Sequence, residues 1–433
     1  MNSILINPPK TQWPALLQRP RIDSKNLEKI VEEIIASVKQ KGDEAVKDYS
    51  LKFHGFRPKD LWVTQEEMAK SSKMVGKDLI KAISVAKKNI EKFHKTQLEK
   101  ERKIETTSGV ICWRKNLPIE KVGLYIPGGS APLFSTLLML AIPAMIAGCK
   151  DILVCTPPSD SKGNVDATVL YVARLLGIKK IYKSGGAQAI AAMAYGTQTV
   201  EKVNKIFGPG NQYVTCAKKL VNIDGVAIDM LAGPSELAIY ADATSVPQFV
   251  AADLLSQAEH GPDSQVILVA ASQAIIKNVV NEIHKQLPLL SRREIVEKSL
   301  SNRRFLIFDK AENAFDYLNE YAPEHLIIAS NKADNLAKLV SNAGSVFLGN
   351  FSPESVGDYA SGTNHSLPTN GWAKTQGGVS VDSFVKKVTF QKLSSKGLKN
   401  IGETVERMAA AEGLSAHKNA VTIRLKKIKN GKV

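Results

Sequence analysis

Gln257 and His260 are the first residues whose types and spacing could bind a metal ion. They stand three positions apart near the end of a predicted helix, which Ser245 can cap, Pro247 can open and Gly261 ends. Side chains at this spacing share a helix face, and the carbonyl groups at that end of a helix favour a cation. An amide oxygen and an imidazole supply half of a metal site, although a helix-capping histidine is the commoner reason for such a pair.

Glu324 and His325 follow Pro323 in the segment EYAPEHLIIAS and stand directly before an apolar strand. Pro323 favours an extended entry into that strand. Two titratable groups at the mouth of a buried strand are suited to acid–base chemistry, because ligands of parallel sheets bind at strand ends. The alternative is an exposed glutamate beside a histidine that caps the strand edge.

Further polar side chains occur in the segments FSPESVGDYASGTNHSLPT and AAAEGLSAHKNAV. The first segment, with Asp358 and His365, is expected to be a long loop, and polar loops inside compact domains are more often functional than idle. Asp358 could add a hard oxygen ligand to a divalent ion. In the second segment, Glu412 and His417 stand beside and just beyond a helix stop at Gly413.

Three glycine-rich turns, GLYIPGGS, KSGGAQAI and FGPGNQYV, each connect a predicted strand to a helix-like stretch. The free backbone N–H groups of such turns can hold phosphate or ribose oxygens. None of the turns matches G-x-G-x-x-G, so a conventional dinucleotide fingerprint is absent. Glycines that serve tight packing are the alternative explanation.

The elements that must position these residues alternate between short apolar strands and helices. The predicted strands are 122–126, 151–155, 180–183, 205–207, 237–240, 265–269, 305–308, 325–329 and 345–348. Helical stretches such as 187–195 and 211–221 separate most of them. This alternation is typical of parallel sheets covered by helices, and it indicates an α/β fold.

The flanking regions have different patterns. The sequence up to about Ile22 is proline-rich and irregular, as expected of an arm that packs on the rest. An amphipathic helix over 27–39 ends before Gly42, and further helix rich in lysine and glutamate is expected up to about Lys103. After about Ser380 the strand signal fades, which predicts a largely helical tail with a helix over 403–412.

Composition sets limits on the class of protein. The 433 residues are 44% hydrophobic and carry a formal charge of +16, which fits a globular chain of at least two domains. The excess lysine is spread over solvated segments without interleaved aromatic residues, so nucleic-acid binding is not expected. No segment has the pattern of a signal peptide or a membrane span. Four cysteines without C-x-x-C spacing fit a reducing cytoplasm.

Nine short segments, taken together and in this order, closely resemble the histidinol dehydrogenase family, which carries out the last step of histidine biosynthesis. They are GLYIPGG, GGAQAIAA, IFGPGN, DMLAGPSE, DLLSQAEHGPDSQV, PEHLII, GSVFLG, SPESVGDYASGTNH and AEGLSAHKNAVT. They run from about Val122 to Thr422, and their joint occurrence is very specific although each is short. Leu231 before AGPSE and Phe134 in PLFST depart from the family pattern, but neither bears a reactive group.

The resemblance implies a role for each polar position. The implied ligands of one zinc ion per site are Gln257, His260, Asp358 and His417. The implied acid–base residues are Glu324 and His325. The implied substrate contacts are Ser235 and Glu412, together with His325 and the four zinc ligands, and the implied NAD contacts are Tyr125, Gln188 and Asn211. No role carries over to His365, which stays a reserve candidate, and surface positions are expected for His54, His94 and His284.

The resemblance also implies a homodimer of interleaved Rossmann-like domains with parallel sheets. On this basis the parts are an N-terminal arm (1–24), a first Rossmann-like domain with the metal and catalytic residues (25–124 and 237–379), a second one with the NAD-contacting turns (125–236), and a small helical C-terminal domain (380–433). The C-terminal domain would complete the neighbouring chain's site, so Glu412 and His417 would serve the zinc of the partner.

The implied reaction is the four-electron oxidation of L-histidinol to L-histidine through bound L-histidinaldehyde, with two NAD+ used in turn. Zinc suits this substrate, because an imidazole and an amine are both good nitrogen ligands. His325 would take the alcohol proton as hydride leaves, and Glu324 would activate the water that hydrates the aldehyde.

Three alternatives stand beside this interpretation. Cys149 or Cys155 could form a thiohemiacetal with the aldehyde, although both stand in apolar surroundings that predict burial and low reactivity. The basic charge could mark a nucleic-acid-binding protein, which would show a steep salt dependence of DNA affinity. The chain could also be a catalytically idle metal-binding homologue, but every expected polar position is present.

Overall fold

The structure, a computed structural model, describes residues 4–20, 24–128, 133–231 and 233–431. It divides into a large unit, within residues 1–97 and 120–383, and a small unit, within residues 98–119 and 384–433. The strands are β1 (Leu5–Ile6), β2 (Lys103–Thr107), β3 (Val110–Pro118), β4 (Lys121–Tyr125), β5 (Asp151–Thr156), β6 (Lys180–Lys183), β7 (Lys205–Phe207), β8 (Ala227–Ile228), β9 (Glu236–Ala241), β10 (Gln265–Ala270), β11 (Arg304–Ile307), β12 (His325–Ala329), β13 (Ser345–Leu348) and β14 (Val385–Leu393). The helices are α1 (Trp13–Leu16), α2 (Ser24–Lys41), α3 (Asp43–His54), α4 (Gln65–Met74), α5 (Lys77–Lys95), α6 (Phe134–Ala147), α7 (Ala167–Leu175), α8 (Gly186–Tyr195), α9 (Gln212–Ile223), α10 (Pro247–Ala258), α11 (Gln273–Gln286), α12 (Arg293–Leu300), α13 (Ala311–Tyr321), α14 (Ala333–Leu336), α15 (Glu354–Tyr359), α16 (Ser395–Ala411) and α17 (Ser415–Lys429).

The large unit contains two parallel sheets, which confirms the predicted α/β fold class. Sheet 1 has the strand order β1-β11-β10-β9-β12-β13, and sheet 2 has the order β6-β5-β4-β7-β8. All nine predicted strands are present, each within one residue of its predicted bounds. Strands β9, β10 and β12 are buried along their whole length, which explains why they are continuous apolar runs in the sequence.

Sheet 1 has an apolar core on each of its two faces. One core contains side chains of α10, α11 and α12, and the other contains α13 and Trp13 of the N-terminal arm. The Trp13 ring packs edge-on against Phe308 and Tyr317, and β1 of the arm pairs in parallel with β11. The described part of the arm is therefore an ordered component of sheet 1.

The helices before residue 100 pack differently from the predicted domain grouping. Residues 25–124 were expected to join 237–379, but α2 and α3 share a core with α8 and α9 beside sheet 2. The amphipathic pattern of α2 shows that it buries one face, but it does not show which sheet receives that face. Predicted helix up to Lys103 is also wrong in part, because α5 ends at Lys95 and β2 begins at Lys103.

The small unit contains the largely helical tail predicted for residues 380–433, together with one strand, β14, that the sequence did not predict. It contains a three-stranded antiparallel sheet of order β14-β3-β2, followed by α16 and α17. Most residues of β14 are exposed, so its sequence lacks the apolar run or strict alternation that reveals a strand. The predicted helix stop is correct, since Gly413 follows α16 with a left-handed φ of 74°.

No helix within the described ranges combines the length and the apolar composition needed to cross a bilayer. The most apolar of them, α6, contains Pro143 and is buried over most of its length in the large unit.

Candidate active site

The Glu324–His325 pair lies at the amino ends of the central strands of sheet 1. His325 opens β12 and is in register with Leu237 of the neighbouring β9, and Glu324 directly precedes β12. In open α/β sheets, ligands usually bind at the carboxyl ends of the strands. Sheet 1 departs from this rule, and the last turn of α10, with Gln257, leads to the same amino edge.

Both side chains of the pair are buried, at 6% and 5% exposure, so the alternative of an exposed glutamate is wrong. The backbone N–H of Glu236 donates to Oε2 of Glu324 at 2.8 Å. Nδ1 of His325 lies 3.3 Å from the carbonyl oxygen of Glu236 and 3.6 Å from Oε2 of Glu324. Because a carbonyl can only accept, Nδ1 carries the proton, and in the neutral ring Nε2 keeps its lone pair.

Burial and neighbouring charges raise the pKa values of both members of the pair. Burial raises the pKa of Glu324 to about 8. Burial lowers the pKa of His325, but the carboxylates of Glu324 and Asp358 outweigh it and raise that pKa to about 10. Nε2 of His325 is 3.6 Å from Oδ1 of Asp358. Both side chains therefore hold their protons more tightly than exposed ones do, and each is a stronger base once its proton has left.

Asp358, His260 and His365 surround the same point. Asp358 lies in the short helix α15, where the sequence predicted an uninterrupted loop. Burial raises the pKa of Asp358, but His325, His365 and His260 together lower it below its ordinary value. Nε2 of His365 is buried and has no hydrogen-bond partner in the described structure. His365, for which no role was implied, therefore belongs to the candidate site.

Gln257 supplies the most direct indication of an absent ligand. It lies in the last turn of α10 and is fully buried, and neither atom of its side-chain amide has a hydrogen-bond partner among the described residues. Oδ1 of Asp358 also has no hydrogen bond among the described residues, and Nε2 of His325 lies 3.6 Å from it. Buried polar atoms are normally satisfied, so both oxygens fit the coordination of a cation. The residue that caps α10 is Val246, one position after the predicted Ser245.

The remaining predicted metal ligand, His417, lies in the small unit, as does Glu412. Glu412 caps α16 and His417 is in α17, and both residues are exposed in the single chain. Within the described ranges, no three His, Cys, Asp or Glu side chains are grouped as a metal site. Of the four predicted ligands, Gln257, His260 and Asp358 thus lie in the large unit and His417 lies in the small unit.

The glycine-rich turns lie at the carboxyl ends of sheet 2. The first strand of sheet 2, β4, lies in the centre of the sheet. Strands β5 and β6 lie on one side of it, and β7 and β8 lie on the other. The turns after β4 and β7 flank the resulting crevice, which is the usual nucleotide position in such sheets. Gly129 and Ser130 of the first turn lie outside the described residues.

The predicted NAD-contacting residues have specific local roles at these turns. The hydroxyl of Tyr125 accepts a hydrogen bond from the N–H of Gly186 at 3.0 Å, and burial raises its pKa to about 12. Gln188 is buried, and its amide has no hydrogen-bond partner in the described part of the chain. Oδ1 of Asn211 caps α9, which leaves its amide N–H groups for a ligand.

One cleft of about 1370 Å³ in the large unit connects the two groups of residues. Its lining includes the turn from Gly208 to Asn211 on one side and Glu324, His325 and Ser235 on the other. A molecule bound at the sheet 2 turns therefore faces the acid–base pair of sheet 1. This is the arrangement that transfer of a hydride between two bound molecules requires.

Comparison with known proteins decides the family. Residues 17–425 match the sequence profile of the family described as histidinol dehydrogenase. The chain belongs to the histidinol dehydrogenase family. A histidinol dehydrogenase of Bacteroides thetaiotaomicron is 54% identical over 429 residues, covering 99% of this chain and 100% of that protein. One from Campylobacter jejuni strain RM1221 is 53% identical over 416 residues, covering 95% and 96%.

The crystal structure of histidinol dehydrogenase from Elizabethkingia anophelis has the same fold, with a TM-score of 0.96, 53% identity and 98% coverage of both chains. The family resemblance is therefore confirmed over nearly the whole chain. Like the other members of the histidinol dehydrogenase family, this chain is an oxidoreductase.

Some residues of this histidinol dehydrogenase family site were missed from the sequence. Glu354 is 1% exposed, its Oε1 accepts from the hydroxyl of Ser256 at 3.0 Å, and burial raises its pKa to about 8. Glu236 is buried at the start of β9. The available signal for Glu236 was an acidic residue at the edge of an apolar strand. For Glu354 it was an acidic residue within the PESVGDY segment.

One histidine outside the site contradicts its prediction. His94 was expected at the surface but is fully buried in α5, with Nδ1 bonded to the carbonyl of Ile90 and Nε2 3.5 Å from Nδ2 of Asn364. Its charged neighbours in the sequence suggested exposure, but it lies on the buried stripe of an amphipathic helix. His284 is exposed as predicted, and His54 is half-buried.

Proposed function

We propose that this chain oxidises L-histidinol to L-histidine through bound L-histidinaldehyde, with reduction of two NAD+, as the last step of histidine biosynthesis. The observation that carries the proposal is the buried Glu324–His325 pair, which faces the sheet 2 turns across one cleft. Family membership and relatives named histidinol dehydrogenase support the choice of substrate.

In the first step, His325 in its neutral form accepts the alcohol proton at Nε2 while hydride leaves the carbinol carbon for NAD+. The hydrogen bond from Nδ1 to the carbonyl of Glu236 holds the ring in the tautomer that this step needs. Both members of the pair are buried, so the aldehyde forms beside side chains that are shielded from bulk water.

In the second step, Glu324 takes a proton from the water that adds to the aldehyde carbon. Hydride then leaves the hydrate for the second NAD+, and His325 again takes the hydroxyl proton, which yields the carboxylic acid. A glutamate that is buried and has a raised pKa is a stronger base than an exposed one, which suits it to this task.

We further propose that Gln257, His260, Asp358 and His417 hold one zinc ion. The buried oxygens of Gln257 and Asp358, which accept no hydrogen bond from the described residues, support this, since nitrogen and oxygen donors suit zinc. When bound, zinc supplies a Lewis-acid centre that can orient the imidazole and amine of the substrate. We expect Ser235 and Glu412 to contact the substrate, and Tyr125, Gln188 and Asn211 to contact NAD.

We propose a homodimer in which His417 and Glu412 complete the site of the second copy, because both residues are exposed in the small unit of a single chain. We place the reaction in the cytoplasm, which fits four cysteines that form no disulfide.

The test is the amount of NADH formed from a limiting amount of L-histidinol, measured by absorbance with excess NAD+. We expect about two NADH per substrate, loss of activity after chelation, and its return when zinc is added back. Absence of histidinol-dependent NADH from the zinc-loaded protein would contradict the proposal.

A further inference from the structure

Arg19 of the N-terminal arm forms a two-point ion pair with the buried Glu236. Its Nε donates to Oε1 at 2.5 Å and its Nη2 to Oε2 at 3.0 Å. The two side chains are 16% and 2% exposed. A planar guanidinium matches a carboxylate in this geometry, which a lysine cannot reproduce.

The backbone of Glu236 contacts both members of the acid–base pair. Its N–H donates to Glu324 at 2.8 Å, and its carbonyl accepts from Nδ1 of His325 at 3.3 Å. A displacement of this one residue would therefore change the orientation of Glu324 and release the His325 tautomer. The side chain of Glu236 is held by Arg19 and by the N–H of Asn370, which donates to Oε1 at 2.8 Å.

Arg19 also binds the end of α13, the segment that leads into the Glu324–His325 pair. Its Nη2 donates to the carbonyl of Tyr321 at 2.6 Å, and its guanidinium lies 4.1 Å from the centroid of the Tyr321 ring. Tyr321 ends α13, and the next residue, Ala322, has a φ of 51°, which is unfavourable for a residue with a side chain. Only Pro323 then separates this strained residue from Glu324.

We propose that Arg19 is a positioning residue for the Glu324–His325 pair, and that the N-terminal arm therefore contributes to catalysis without contacting the reacting atoms. Arg19 fixes β9 and the end of α13, which are the two segments that present the pair. Removal of the guanidinium leaves the buried carboxylate of Glu236 without its cation. In response, either the start of β9 shifts or this carboxylate takes up a proton. This inference rests on the proposed oxidation of L-histidinol.

The test compares kcat and KM in full-length Arg19→Met, Arg19→Lys and Arg304→Met. Arg304 is the matched control, because its Nη2 also binds the arm, at the carbonyl of Gln18 (2.5 Å), which is a backbone group next to Arg19. Arg304→Met therefore loosens the arm and leaves the Arg19–Glu236 pair in place.

We expect Arg19→Met to lower kcat for L-histidinol about 100-fold, the effect of a displacement of roughly 1 Å at catalytic groups. The KM for NAD+ should change less than about threefold, because the sheet 2 turns are not displaced. Arg19→Lys should recover part of the loss, to about 10-fold below the unmodified enzyme, since it keeps the charge and loses the two-point geometry. Arg304→Met should stay within about threefold of normal kcat.

An unchanged kcat in Arg19→Met, or an equal loss in Arg304→Met, would overturn the inference. If Arg19→Met does not fold, Arg19→Lys carries the same test, and a normal kcat in that variant overturns the inference as well. Lack of histidinol oxidation by the unmodified enzyme is a separate outcome, which contradicts the proposed function and not the role of Arg19 alone.

Discussion

His325 has its two ring nitrogens in different surroundings, and this difference determines its chemistry. Nδ1 is fixed by the carbonyl of Glu236, whereas Nε2 has no hydrogen-bond partner in the described structure and lies 3.6 Å from Asp358. Glu324 is bonded to the N–H of the same residue 236. The N–H of Glu236 therefore orients Glu324, and the carbonyl of Glu236 orients His325. Because separate backbone groups hold the two side chains, substitutions can separate their roles.

We expect His325→Asn to lower the rates of both oxidation steps by about 100-fold to 10,000-fold, because both steps remove a hydroxyl proton. Glu324→Gln should lower oxidation of supplied L-histidinaldehyde by a similar factor and change the alcohol step by less than about 10-fold. NADH formation from each substrate measures the two steps. Near-normal rates of both steps in both variants would show that the assigned roles are wrong.

The cysteines offer a second test at the residue scale. Cys155 is fully buried and burial raises its pKa far above the ordinary value, and Cys149 is also buried. Such thiols are poor nucleophiles. We expect the double variant Cys149→Ser, Cys155→Ser to keep at least about half of normal kcat, because neither thiol takes part in the reaction. A loss of aldehyde oxidation alone, with the fold intact by circular dichroism, would instead support a thiohemiacetal.

At the scale of elements, the turn after β7 depends on a glycine that no other residue can replace. Gly208 has a φ of 124°, and a Cβ there would collide with the carbonyl of Tyr125 at the end of β4. The buried ion pair of Lys218 and Asp229 holds this turn, since Lys218 donates to the carbonyl of Gly208 and Asp229 accepts from its N–H. The turn is therefore a rigid feature of the sheet 2 crevice.

We expect Gly208→Ala to raise the KM for NAD+ by about 10-fold or more, because β4 and β7 must separate to admit the methyl group. Gly177→Ala is the matched control, since Gly177 has a φ of 72° with open space around its Cβ position. It should cost about 1 kcal/mol of stability and leave the KM unchanged. Equal KM values for the two variants would argue against a nucleotide at this turn.

The same elements show what the sequence can and cannot establish. Nine of the eleven described strands of the two parallel sheets are predictable because they are apolar runs, most of them buried on both faces, whereas β1 and β8 have only two residues each. Strand β14 could not be predicted, because it is mostly exposed. The sheet against which α2 packs could not be predicted either, because an amphipathic pattern reveals a buried face but not the element that covers it. The contacts of Arg19 with Glu236 join positions 217 residues apart, which no local pattern encodes.

At the scale of the whole molecule, we propose that the site is built from two chains. The large unit holds Gln257, His260 and Asp358, and the small unit holds Glu412 and His417. The exposure of the last two residues in one chain fits their use by a second copy. A closed two-fold dimer would then contain two identical sites, each built from both subunits.

Mixed dimers test this directly. We expect His260→Asn and His417→Asn homodimers each to be inactive, whereas an equal mixture refolded together should regain about a quarter of normal activity, because half of the dimers then contain one intact site. NADH formation before and after subunit exchange measures this. Absence of recovery, with mixed dimers demonstrated by mass spectrometry, would place His417 in its own chain's site.

The proposed zinc site joins Gln257, His260, Asp358 and His417 around one divalent ion beside the Glu324–His325 pair. The most direct measurement is a crystal structure of the zinc-loaded protein, with the ion located by anomalous scattering at the zinc absorption edge. We expect one peak per site, with Gln257, His260 and Asp358 at about 2.0 to 2.2 Å together with a His417 side chain. A peak at other residues, or none at full zinc occupancy in solution, would contradict the claim.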